Sequence, residues 1–111
     1  MENGLGKIES VSFGVGGYQG AMIGIHITLG DGGWGVCDSK VAWDAEQVKH
    51  TEHIKWTEED RDKQYSKIMR YISKILSEAK VDCVYKLKGI PIEAIFEGNM
   101  LKEWRVLTEV L

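Results

Sequence analysis

Several short stretches of this chain carry residue types that do chemistry. "HTEH", His50 to His53, sets two imidazoles around a carboxylate, and His26 is the only other histidine. A zinc site needs three or four donors at a defined spacing, so the pair reads as loop histidines whose charge changes near neutral pH, with no metal and no cofactor expected. "CDS", Cys37 to Ser39, brings a thiol and a hydroxyl close to those histidines in sequence, without a nucleophile elbow or a local cysteine-protease signature around either. A Cys37–His50 or Cys37–His26 pair stays open on sequence alone, and a small hydrolase with it. "FGVGGYQGAMIG", Phe13 to Gly24, has five glycines in twelve positions. A dinucleotide fingerprint needs G-x-G-x-x-G between a strand and a helix. Here Gln19 stands at the last glycine position and a strand pattern follows, so the glycines are assigned to a hairpin turn.

Two further features point to binding rather than catalysis. Trp34, Trp43, Trp56, Trp104 and Tyr18 fall largely at strand ends or in connections, where a ring serves as an anchor. Lys63, Lys67, Arg70 and Lys74 recur at helical spacing and form a basic stripe, flanked by Glu59 and Glu78. The candidate recognition surface is where the glycine-rich loop, the third strand and the histidine-bearing connection meet. Tyr18 and Trp34 would supply stacking area, Asp38 and Lys40 polar anchoring, and His50 and His53 a switchable charge. The basic stripe is the second candidate, and no residue is assigned a catalytic role.

The elements that must position these residues follow from periodicity. Val11, Phe13 and Val15, then Ala21, Ile23, Ile25, Ile27 and Leu29, alternate with small or polar residues, the period of half-buried strands. A third strand covers about Trp34 to Trp43. Thr57 can cap a helix, with Asp60 three residues later as a weaker form of the capping-box acid, and Tyr65, Ile68, Met69, Ile72, Ile75, Leu76 and Ala79 form one apolar helix face. The helix is expected over about Thr57 to Lys80, packing Ile68, Ile72 and Ile75 on the sheet. Ile90 to Phe96 and Trp104 to Val110 alternate around Gly98-Asn99 as a second hairpin, with Pro91 at an edge or near a strand start. The order β-β-β-α-β-β reads as an α+β fold, an antiparallel sheet with one long helix packed on one face. A small Greek-key barrel of the oligonucleotide-binding type has the same order.

Composition bounds the rest. A chain of 111 residues, 43% apolar, fits a single domain, 1–111. The formal charge of −3 argues against a general polyanion binder. No lysine or arginine occurs between Lys7 and Lys40, so the strands that carry phosphate contacts in oligonucleotide-binding barrels are uncharged or acidic. Cys37 and Cys83 stand apart and read as two buried thiols in a reducing compartment. No apolar run approaches a membrane span, and the expected location is cytoplasmic.

"GWGVCDSK", "WTEEDR" and "LKGIPIEAIFEGNMLKEWRVLTEVL" together resemble a group of small uncharacterised accessory proteins encoded by tailed bacteriophages, over nearly the whole chain from Lys7. The resemblance implies a phage accessory product in the bacterial host cytoplasm. By analogy, it implies a non-enzymatic binder that counters host defence, either as an anti-CRISPR-like inhibitor of a defence protein complex or by sequestering an immune signal nucleotide. The alternative is a single-stranded DNA accessory protein of phage DNA metabolism. An exposed sheet edge adds a homodimer to the expected partners.

Overall fold

The structure is a computed structural model that describes residues 2–16, 22–43 and 57–111. Its elements are β1 (Glu2–Gly16), β2 (Met22–Gly30), β3 (Gly35–Trp43), α1 (Glu58–Ala79), a 3-10 turn (Val84–Leu87), β4 (Pro91–Glu97), β5 (Met100–Val106) and a terminal 3-10 turn (Thr108–Val110). The strands form one antiparallel sheet in the order β3-β2-β1-β4-β5, curled into a half-barrel around α1. This is the α+β arrangement expected from the sequence. The sheet is not closed into a barrel among the described residues, because β3 and β5 form no ladder with each other.

β1 differs from the sequence reading in both length and role. It starts at Glu2 rather than near Val11, since Gly4 and Gly6 hide the alternation there. It also serves two hairpins: Glu2 to Lys7 pair with β4, whereas Lys7 to Gly16 pair with β2. Register shifts between Ile8 and Ser10, so Glu9 is an extra residue that bends the strand. The bend curls the sheet. It keeps Ile8 on the concave face with Gly6 before it and Val11 after it.

The concave face holds the core. Ile8, Ile25, Ile27, Leu29, Leu87, Ile92 and Ala94 are essentially inaccessible, and Ile75, Ala79 and Val106 close the same cluster. A fully buried isoleucine or leucine stabilises by about 1.5–3 kcal/mol, so these side chains dominate the fold's energetics. From α1, Ile68 and Ile75 are buried and Ile72 is half-buried, as the helical spacing requires. Met69 departs from the expected apolar face and is exposed. Phe13 and Val15 depart as well, at 55% and 52% exposure, because α1 packs over β3 and β2 rather than over the second half of β1.

The helix ends are chemically defined. The Asp60 amide donates to Thr57 Oγ1 at 3.1 Å, and the Thr57 amide donates to Asp60 Oδ2 at 3.0 Å, a complete capping box. These hydrogen bonds hold the Asp60 carboxyl below its ordinary range. At the other end Lys80 is left-handed at φ 58°, and the Val81 amide donates to Leu76 O. Arg61 ties the first turn to the sheet: its Nε donates to Trp43 O at 3.1 Å, and its guanidinium also contacts Glu58 and the Tyr65 hydroxyl.

Pro91 is the first residue of β4, where its missing amide costs no ladder bond. β4 is an inner strand, so Pro91 guards no edge. The outer strands are β3 and β5.

Candidate functional site

The cleft between β3, α1 and β5 lies where the two outer strands approach across the concave face. Along β3, Asp38 and Lys40 share the face of Val36 and Ala42, opposite Ile27 and Ile25 of β2. On β5, Trp104 is paired to Ala94 and points to the same interior. Its indole Nε1–H donates to Asp38 Oδ2 at 2.7 Å. From α1, Tyr71 fills the space between the strands, and the Lys40 ammonium lies 5.5 Å from its ring centroid, within cation–π range. Burial raises the Tyr71 phenol above its ordinary range, and the charges of Asp38 and Glu78 raise it further. Lys74 and Glu78, one helical turn apart, pair at 3.8 Å on the rim.

The cleft has a volume of about 320 Å³, and Leu101, Lys102 and Ile75 complete its walls. Arg105 also borders it, with its guanidinium engaged by Glu93 and Glu109. The result is an amphipathic hollow in which aromatic surface lies beside amines and carboxylates.

The residues expected to work together are divided by the structure. Asp38 and Lys40 are in the cleft. Trp34 is elsewhere, and it is part of the core packing rather than a free anchor. The Asp31 carboxylate accepts from the Gly33 and Trp34 amides at 2.7 and 3.0 Å, and this turn folds the indole back over β1. A Cβ on Gly6 would come within 2.9 Å of the Trp34 ring and 2.5 Å of Gly30 O, so the glycine is needed for the ring to lie there. Phe96 meets Trp34 edge to face, 5.2 Å between centroids. A second hollow of about 530 Å³ opens beside this pair, near Gly4, Val36 and Asn99. Tyr18, His50 and His53 lie outside the described residues.

Lys63, Lys67, Arg70 and Lys74 are all on exposed positions of α1. Lys63 pairs with Glu59 at 3.7 Å as Lys74 does with Glu78, so both ends of the stripe are partly neutralised. Of the four, only Lys74 borders the cleft.

Of the two pairings left open for Cys37, the one with His50 lies outside the described residues and the one with His26 is not formed. His26 meets Ser39 instead, with Nδ1 3.3 Å from Ser39 Oγ and Nε2 3.3 Å from Gly14 O. Because a carbonyl only accepts, Nε2 carries the proton in neutral His26 and Nδ1 accepts from the Ser39 hydroxyl. This pair is on the convex face, opposite the cleft, as His26 alternates with the buried Ile25 and Ile27. Cys37 is 3.6 Å from Thr28 Oγ1 on the same face. Both cysteines are free thiols, but Cys37 is exposed and Cys83 half-buried, not buried as expected. Strand β2, not a helix, follows the glycine-rich segment, which leaves that segment no helix N-terminus to hold a phosphate. Among the described residues no three histidine, cysteine, aspartate or glutamate side chains converge as a metal set.

The chain matches no family model, no curated protein and no solved structure. Among the described residues, no helix is long and apolar enough to cross a membrane.

Tyr71 is not singled out by the sequence, and Trp104 is singled out only as one of several anchoring rings, for different reasons. Tyr71 stands three residues after Ile68 and four before Ile75, so helical spacing alone carried its signal. Trp104 is marked as an anchoring ring near a strand end, but its partner Asp38 is 66 positions away. No local pattern encodes that contact.

Proposed function

We propose that this protein acts by stoichiometric binding rather than catalysis, and that the cleft between β3, α1 and β5 is its recognition surface. The observation that carries this reading is the placement of Tyr71 and Trp104 beside Lys40 and Lys74 in one hollow. Aromatic faces next to amines suit an aromatic anion, with a base held against ring surface and phosphates held by ammonium groups. The size of the hollow is at the lower end of small-molecule pockets.

Resemblance to phage accessory proteins supplies the biological setting. On that basis the ligand belongs to a bacterial defence system, and the geometry favours capture of a signal nucleotide over blockade of a defence protein complex. The host cytoplasm is the compartment this function requires.

The test is isothermal titration of the full chain against nucleoside monophosphates, nucleoside diphosphates and cyclic dinucleotides, with Lys40→Glu and Tyr71→Ala beside the wild type. Saturable 1:1 or 1:2 binding that weakens at least tenfold in both variants supports the reading. Binding to none of these, with single-stranded DNA bound in fluorescence anisotropy and released by salt, would favour the DNA-accessory alternative. Native mass spectrometry showing a host protein retained instead would favour the inhibitor form.

A further inference from the structure

Among the described residues, the second half of β1 is a sheet edge in the middle of the sheet. Lys7 is the last residue of β1 that pairs on both sides, with Gly30 of β2 and Pro91 of β4. One residue later Ile8 still bonds towards β4, its amide donating to Ile90 O at 2.9 Å and its carbonyl accepting from Gly89 at 2.7 Å. Beyond that point the β4 side of the strand has no ladder partner among the described residues, whereas β2 continues on the other side to Gly16. The alternate backbone donors and acceptors between Val11 and Gly16 that face away from β2 therefore line an edge that is unpaired among the described residues.

This edge lacks the usual protection. Ser10 to Gly16 contain no charged residue and no proline, the two devices that most often block edge pairing. Phe13 and Val15 stand beside it at 55% and 52% exposure. Where the other outer strands place Lys40 or Lys102 and Glu103 along their length, this one presents serine, glycine and apolar side chains.

We propose that this edge pairs with the same segment of a second copy, antiparallel and centred on Phe13, forming a two-fold dimer with one continuous sheet. The sequence is self-complementary in that arrangement. With the axis at Phe13, position 13 faces itself, Val11 faces Val15, and Ser12 faces Gly14. Side chains alternate with period two, so each pair shares a face: apolar meets apolar on the concave side and small polar meets small on the convex side. No like charges are opposed at any position. The aromatic and β-branched pairs at the centre are those that strengthen antiparallel ladders. A dimer of this kind is isologous and closed.

The experiment combines mass and register. Sedimentation velocity of the full chain from about 1 to 200 μM should show a concentration-dependent dimer, and Phe13→Lys should be monomeric with an unchanged circular-dichroism spectrum. In a Cys37→Ser, Cys83→Ser background, Phe13→Cys should oxidise to a covalent dimer in high yield, because directly opposed residues lie about 4.5–5.5 Å apart, within disulfide reach. Met100→Cys on β5 should not. If Phe13→Lys failed to fold, the crosslinking arm would still decide. A monomer throughout with no Phe13→Cys crosslink overturns the proposal, as does a dimer that survives Phe13→Lys or crosslinks through β5. A monomer that recruits a strand of another protein to this edge overturns it too.

Discussion

The indole nitrogen of Trp104 and the carboxylate of Asp38 meet at 2.7 Å, joining the two outermost strands of a sheet that forms no closing ladder among the described residues. Between these strands lie three others, so the bond measures the curl of the whole sheet. Removing the donor leaves a partly buried carboxylate without its partner, which is costlier than removing the pair. Trp104→Phe should therefore destabilise by about 1.5–3 kcal/mol in urea unfolding. Adding Asp38→Leu to Trp104→Phe should recover part of that loss. A double-mutant cycle with strictly additive effects would show that the bond does not hold the curl.

Gly6 and Gly14 offer a matched comparison. A methyl group on Gly6 meets Gly30 O and the Trp34 ring, while a methyl on Gly14 meets nothing within 4 Å. Gly6→Ala should cost about 1–3 kcal/mol through forced overpacking, and Gly14→Ala should be neutral or slightly stabilising. Trp34 fluorescence should shift in the first variant and stay unchanged in the second.

Arg61 is held at the junction of helix and sheet, with its side chain 11% exposed. Its Nε is committed to the Trp43 carbonyl while its Nη1 reaches Glu58. Arg61→Lys cannot reproduce that fork, so it should lower thermal stability nearly as far as Arg61→Ala does. If lysine restored wild-type stability, charge alone would account for the site.

Acid should act through the helix start. The Asp60 carboxyl is held below its ordinary range by its hydrogen bonds to Thr57. A carboxyl depressed on folding contributes stability above its unfolded pKa, about 4, and loses it as pH falls through the folded value. Unfolding midpoints measured from pH 6 to pH 2 should fall for the wild type, and Asp60→Asn should flatten part of that slope.

Alkali should act through the cleft. The Tyr71 phenol is raised by burial and then by Asp38 and Glu78, so folding stabilises its protonated form. That contribution is complete below the unfolded pKa of about 10 and declines as pH rises above it. Tyr71→Phe should therefore resist alkaline unfolding better than the wild type, read as a higher pH at half-unfolding.

The parts of this molecule written locally were legible in its sequence. Thr57 and Asp60 announced the helix start, and the alternation from Ile23 to Leu29 announced β2, because both signals are complete within a few residues. The long reach of β1 was hidden. Gly4 and Gly6 carry no side chain to mark a strand face, and their reason for being glycine is Trp34, which arrives from another turn of the chain. The candidate site was half legible: Asp38 and Lys40 were singled out as polar groups near a ring. The rings that meet them, Tyr71 and Trp104, come from a helix and a strand that sequence distance separates from β3.

β1 also sets a timetable for synthesis. Glu2 and Asn3 leave the ribosome well ahead of Phe96 and Ile95, their ladder partners. At roughly 5–20 residues per second, translation needs on the order of ten seconds to deliver those partners. Throughout that interval the nascent chain can assemble β2 and β3 against the later half of β1, while Glu2 to Lys7 wait. The strand that completes β1 is β4, made after β2 and β3, so a chain stalled before β4 should leave Glu2 to Lys7 open to proteases and chaperones.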